Sequence, residues 1–132
     1  MFTFYKSHVI IKRLVFIAIF NCIFLSCEKK TSLPDPLEAG WNGEKVCEVL
    51  EENEQYRVLK CTFPPKVGHE MHYHKPHFGY TIQGSTFRIS DNSGVNEYEV
   101  PTGFSFSNDE VIEHEVVNIG DSTAIFLIVE PK

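Results

Sequence analysis

Four histidines fall within nine residues: His69, His72, His74 and His77. A fifth, His114, stands well downstream. Neutral imidazole is a good ligand for first-row divalent metals. In an extended strand, His72 and His74 project from one face, about 7 Å apart at Cα. That is a workable bite for two ligands of one ion. A third ligand must arrive from elsewhere, and His114 lies on a later strand-forming stretch. Pro76 breaks the alternation after His74, so His77 can return to the same side. Glu70 shares parity with His72 and His74 and is a rival fourth ligand. His69 has the opposite parity and is expected in solvent. An exposed polar loop is the competing reading of the same cluster.

The elements around these residues read as strands. After residue 40 no stretch carries helical periodicity, whereas short runs alternate with period two between turn residues. Glu44–Leu50 and Tyr56–Phe63 form a hairpin around Asn53-Glu54-Gln55. That loop sets Cys47 opposite Cys61 and Val49 opposite Leu59. A disulfide between Cys47 and Cys61 fits this register, and a slip of one residue removes it. The alternative is two small core hydrophobes. Thr86–Ser90, Asn96–Val100, Phe104–Ser107, Glu115–Asn118 and Ser122–Val129 are further strands. Turns fall at Gly84-Ser85, Asp91–Gly94, Pro101–Gly103 and Gly120-Asp121. Eight or nine strands at this spacing predict an all-β sandwich or barrel.

The histidine spacing, taken with the glycines, resembles the cupin superfamily. The second motif of that family is G-x5-P-x-G-x2-H-x3-N. Gly103, His114 and Asn118 stand at its spacing, with Asp109 in place of the Pro and Val111 in place of the Gly. The first motif, G-x5-H-x-H-x3,4-E-x6-G, keeps His72, His74 and Gly84, and its opening Gly is displaced to Gly68. His77 stands near the place of the motif's Glu, one residue short of it. The resemblance covers about residues 44–132. It implies a cupin-type β-jelly roll, a double-stranded β-helix barrel, holding one divalent transition metal: Fe, Mn, Ni, Cu or Zn. It implies His72, His74 and His114 as ligands, and either His77 in place of the Glu or a site of three histidines with an open face. Asn118 is then structural, and Gly84 and Gly103 serve turns. A shell made only of imidazoles leaves the bound site at its full positive charge, a stronger Lewis acid.

The aromatic residues Phe78, Tyr80, Phe87, Phe104, Phe106 and Phe126 divide between core and pocket wall. Tyr80 is the one whose hydroxyl would matter if it pointed inward. Trp41, before the first strand, packs across a barrel end or marks a sugar-facing rim. Glu110, Glu113 and Glu115 form a charged rim, from which one carboxylate could orient an imidazole.

The first residues carry a separate signal. Lys6, Lys12 and Arg13 precede a run from Leu14 to Leu25 broken only by Asn21 and Cys22. As a helix that run rises about 18 Å, against about 30 Å of bilayer hydrocarbon. It fits a signal-peptide core rather than a span. Phe24-Leu25-Ser26-Cys27 resembles a bacterial lipoprotein signal, in which a small residue precedes a lipidated cysteine. Phe24 stands where that signal prefers Leu. The competing readings are an ordinary signal peptide or an uncleaved anchor. The expected organisation is a signal peptide over residues 1–26, lipidated Cys27 with a polar tether to residue 40, and a cupin domain over residues 41–132.

The chain has 132 residues, with 12 Lys and Arg against 18 Asp and Glu. Cleavage before Cys27 removes three of the positive charges and none of the negative, leaving −9. That balance argues against nucleic acid as a partner. It also assigns membrane attachment to acyl chains rather than to basic residues. The expected location is the cell envelope, lipid-anchored and facing the periplasm or the cell surface, where disulfides persist. The expected partners are a small-molecule ligand or substrate and a second copy of the chain, the homodimer being implied by the resemblance alone. Two functions fit. One is a metal-dependent oxygenase or isomerase acting on a small molecule. The other is a non-catalytic module that binds a metal or small ligand.

Overall fold

The computed structural model describes residues 32–132. The expected signal peptide, and Cys27 with it, lie outside them. Nine strands follow in chain order: β1 (Cys47–Glu52), β2 (Tyr56–Phe63), β3 (Gly68–His74), β4 (His77–Gln83), β5 (Ser85–Asp91), β6 (Gly94–Val100), β7 (Ser105–Asn108), β8 (Ile112–Asn118) and β9 (Ala124–Pro131). There is no helix among the described residues. One sheet has the order β1-β2-β9-β4-β7 and the other the order β3-β8-β5-β6. Every pairing is antiparallel. The fold class is the all-β one expected.

Alternation decides which side chains face inward. In β2, Leu59, Cys61 and Phe63 are buried while Lys60 and Thr62 between them are not. In β9, Ala124, Ile128 and Glu130 are buried. Leu59, Cys61, Phe63, Ala124 and Ile128, with Phe87, Val116 and the partly buried Phe106 and Phe126, form the core between the sheets. Phe63, Phe87 and Phe126 meet edge to face, with ring centroids 5.4–5.9 Å apart. Such contacts add to the apolar burial.

The first hairpin has the expected register, with Cys47 opposite Cys61 and Val49 opposite Leu59. A bulge between Val49 and Glu51 absorbs the odd residue of the loop. Cys47 and Cys61 are joined by a disulfide. Asp91 pairs with Gly94 at the β5–β6 turn, where Gly94 has φ 122°. That conformation suits glycine alone.

Two structural devices hold the ends of the strands. Asn118 is fully buried, and its Nδ2 donates to the carbonyls of Phe63 and Ser122 at 2.8 Å. Its Oδ1 accepts from Ser85 Oγ at 2.8 Å and from the Gly120 N–H at 3.0 Å. All four hydrogen-bonding valences of the amide are thus used. The second device is the stretch from Pro34 to Gly40, the near end of the expected tether. It lies along β3, the edge of its sheet. Tyr73 N–H donates to the Pro34 carbonyl and Glu70 N–H to the Gly40 carbonyl. Pro36 and Ala39 are buried. The segment covers backbone groups that an edge strand would otherwise leave open. The folded body therefore begins before residue 41. Trp41 packs its ring against Gly68, where a Cβ would come within 2.7 Å of it.

Candidate metal centre

β3 brings three imidazoles to the cavity instead of the two that strict alternation allows. A bulge between His69 and His72 shifts the register against β8. It turns Glu70 and Met71 both outward and leaves His69, His72 and His74 buried. His69 is only 2% exposed, a correction to its expected place in solvent. The same bulge removes Glu70 as a ligand, since its carboxylate lies outside and accepts the Asn42 N–H at 3.1 Å.

His72 pairs with His114 across β3 and β8. Their ring centroids are 4.9 Å apart, and that of His114 lies 5.4 Å from His74. One ligand nitrogen each from His72, His74 and His114 falls within 4.8 Å of the others. After Lys75-Pro76 the chain crosses to the other sheet, and His77 opens β4 facing the same space. Its ring centroid is 4.7 Å from that of His74.

Hydrogen bonds fix which nitrogen each ring presents. His72 Nδ1 lies 2.7 Å from the Glu70 carbonyl, and His77 Nδ1 lies 2.7 Å from the Lys75 carbonyl. A carbonyl only accepts, so both Nδ1 atoms carry the proton. His74 Nδ1 donates to Glu130 Oε1 at 2.9 Å. In a neutral ring with Nδ1 so engaged, Nε2 is left with the lone pair. The Nε2 atoms of His72 and His74 then face each other at 3.0 Å. Two lone pairs at that distance repel without a cation between them. With metal–nitrogen bonds of about 2.1 Å, it is the spacing of two nitrogens on one ion. His77 Nε2 takes a hydrogen bond from Asn108 Nδ2 at 3.3 Å. His69 is committed elsewhere: Nε2 donates to the Pro36 carbonyl at 3.0 Å, and its ring stacks on His72 at 3.8 Å.

Burial keeps His69, His72, His77 and His114 neutral. Burial, helped by neighbouring imidazoles, pushes His72 down to about 2, His114 to about 3 and His69 to about 4. Burial also lowers His77. Neutral imidazole is the ligand form, so the donor set fits a divalent transition metal.

Glu130 is the functional residue that sequence reasoning missed. It is 1% exposed and shares the inward face of β9 with Ile128. Burial raises its pKa, but hydrogen bonds from His74 and Arg57 and the charge of Arg57 outweigh that and hold it below the usual range. Arg57, directly opposite on β2, makes ion pairs with Glu130 and with Asp35. A glutamate at an inward position of an apolar strand was the signal available. The carboxylate that orients an imidazole is therefore Glu130, and not one of Glu110, Glu113 or Glu115. Tyr80 faces away from the cavity and is 41% exposed, so its hydroxyl has no part in the site.

No protein-family model matches the chain, and no curated protein matches it. Solved structures do. A cupin domain from Bordetella pertussis Tohama I aligns at TM-score 0.62 and 24% identity, over 66% of this chain and 92% of that one. The polyketide cyclase RemF of Streptomyces resistomycificus aligns at 0.54 and 19% identity, over 79% of each chain. A sugar phosphate isomerase of the cupin superfamily from Silicibacter pomeroyi aligns at 0.51 and 18%, over 77% of this chain and 68% of that one. At these identities the likeness is one of fold. Nine strands in two facing sheets, with these neighbours, make the chain a β-jelly roll of the cupin type.

Proposed function

We propose that the domain binds one divalent transition metal through His72, His74 and His114, with His77 joining as a fourth ligand only where its Nε2 gives up the hydrogen bond from Asn108. The observation that carries this reading is the facing pair of Nε2 atoms at 3.0 Å, each ring having its Nδ1 proton engaged elsewhere. The bound ion would act as a Lewis acid on an oxygen of a small molecule. The protein's own groups do the rest. The Glu70 carbonyl and the Glu130 carboxylate hold the Nδ1 protons and so aim Nε2 inward. Asn108 steadies His77. Glu130 also places a negative charge one hydrogen bond from the ligands, which moderates the Lewis acidity expected of an all-imidazole shell.

Oxygenase or isomerase chemistry on a small molecule is the leading activity. The alternative is a module that binds without turnover. It is favoured by the cavity wall, where Glu99, an exposed residue, is the only carboxylate among the described residues. Attachment to the cell envelope through lipidated Cys27, and a homodimer, belong to the same proposal.

The test is to load the purified protein separately with Fe(II), Mn(II), Ni(II), Cu(II) and Zn(II). Bound metal is measured by mass spectrometry, and oxygen uptake and isomerisation are screened on the loaded forms. About one ion per chain supports the site. Metal-dependent turnover supports the enzyme, and a loaded protein with none supports the binding module. No ion bound under any condition overturns both.

A further inference from the structure

The histidines occupy one side of a cavity of about 360 Å³. Ligand pockets run from about 300 to 1,000 Å³, so this one suits a single small molecule. Its remaining wall is almost wholly apolar. Phe63, Phe87 and Phe126 form an edge-to-face trio, and Phe106 stands edge-on to His77 at 5.9 Å and 87°. Phe104 stacks on Phe106 and is 47% exposed. Ile112 and Val116 complete the side next to His114. Among the described residues no Lys or Arg lines the cavity, and Glu99 adds a negative charge.

This wall selects by what it lacks. A phosphate needs cations or a cluster of backbone N–H groups, and no cationic side chain is here. A sugar needs a partner for each hydroxyl, whereas the polar side chains beyond the histidines are Asn108, Tyr98 and Glu99. A flat ring needs only aromatic faces and edges. Polar nitrogens on one side and phenyl rings around the rest match a molecule with one oxygen donor and an apolar body.

Resting on the metal site proposed above, we infer that the cavity takes a small aromatic molecule bearing a hydroxyl, a phenol or naphthol. Its oxygen is directed to the histidines and its rings lie against Phe63, Phe87, Phe106 and Phe126. Phosphorylated and polyhydroxylated molecules are rejected. Gly79 sets the width of the site. It pairs with Phe106, and a Cβ there would come 2.1 Å from the end of that ring. Only a glycine leaves Phe106 where it now lies.

The test uses 2-naphthol and glucose 6-phosphate as probes, titrated calorimetrically against metal-loaded and metal-free protein. Naphthol is expected to bind the loaded protein at least tenfold more tightly than glucose 6-phosphate. Phe106→Ala is expected to weaken naphthol at least tenfold with metal content unchanged. Gly79→Ala, which crowds the same ring, is the second variant and is expected to act in the same direction. Equal or tighter binding of glucose 6-phosphate overturns the inference. So does naphthol binding that neither variant changes, or no naphthol binding to either form. A protein that takes up no metal but binds naphthol in a Phe106-dependent way overturns the metal reading and leaves this one standing.

Discussion

β3 and β8, in the four-stranded sheet, carry His72, His74 and His114. β2, β4 and β9, in the five-stranded sheet, carry Arg57, His77 and Glu130. The first sheet thus presents imidazole nitrogens, and the second presents fixed charge and a further imidazole. The division follows from what each strand pair can do. The register of β3 on β8 places His72 directly opposite His114, so backbone pairing alone sets two ligands side by side. The register of β2 on β9 places Arg57 opposite Glu130 and neutralises a carboxylate that burial would otherwise penalise. The three clustered histidines thus come from one sheet, and the carboxylate that orients His74 comes from the other.

The largest effect is expected where the ligand sheet is broken. His114→Ala removes one of three clustered nitrogens and is expected to abolish stoichiometric metal binding, measured by calorimetric titration. Wild-type affinity in this variant would show that the ligands come from elsewhere. In the other sheet, Cys47→Ala with Cys61→Ala opens a loop with a sequence separation of 14. The expected cost is about 3 kcal/mol in chemical denaturation. Metal stoichiometry is expected to stay at one, because the disulfide supplies no ligand. Glu130→Gln removes the negative charge but not the bulk. It is expected to weaken metal affinity by about 10–100-fold, the usual range for a group behind a ligand. An unchanged affinity would make the two sheets independent.

Acid should act on the histidines before it acts on Glu130. His69, His72 and His114 stay neutral in the folded, metal-free protein, whereas in the unfolded chain they protonate near their ordinary value of about 6.5. The unfolded state therefore binds more protons below that pH, and stability falls as pH drops from about 6.5 toward 4. Glu130 acts in a lower window, because its lowered pKa confers stability that is lost only below its ordinary value. Thermal unfolding of the metal-free protein between pH 7 and pH 5 is expected to show a falling midpoint, and bound Zn(II) is expected to raise the midpoint at each pH while leaving the fall in place. The smallest effect concerns Thr81 of β4, whose buried hydroxyl has no hydrogen-bond partner. Thr81→Val is expected to raise stability by about 1 kcal/mol.

What could be read from the sequence depended on whether the signal was local. The β1–β2 hairpin was legible to the residue pair, because loop length and alternation together fix register. His72, His74 and His114 were legible as a set because their spacing resembles a known motif. His69 was not, because a bulge at Glu70-Met71 reverses parity and leaves no mark in residue type. Glu130 was not, because its partners Arg57 and His74 are distant in sequence and meet it only through sheet pairing. The docking of Pro34–Gly40 was hidden for the same reason. A polar, proline-containing stretch reads as a tether until an uncovered strand edge is seen beside it.

The most direct measurement is a long-range ¹H–¹⁵N correlation spectrum of the histidine side chains, with and without Zn(II). The prediction is that His72, His74 and His77 are protonated at Nδ1 in both states. On adding one equivalent of metal, the Nε2 resonances of His72 and His74 and one ring-nitrogen resonance of His114 should shift together. Nε2 resonances that ignore the metal, or His72 and His74 protonated at Nε2, would contradict the site at its root.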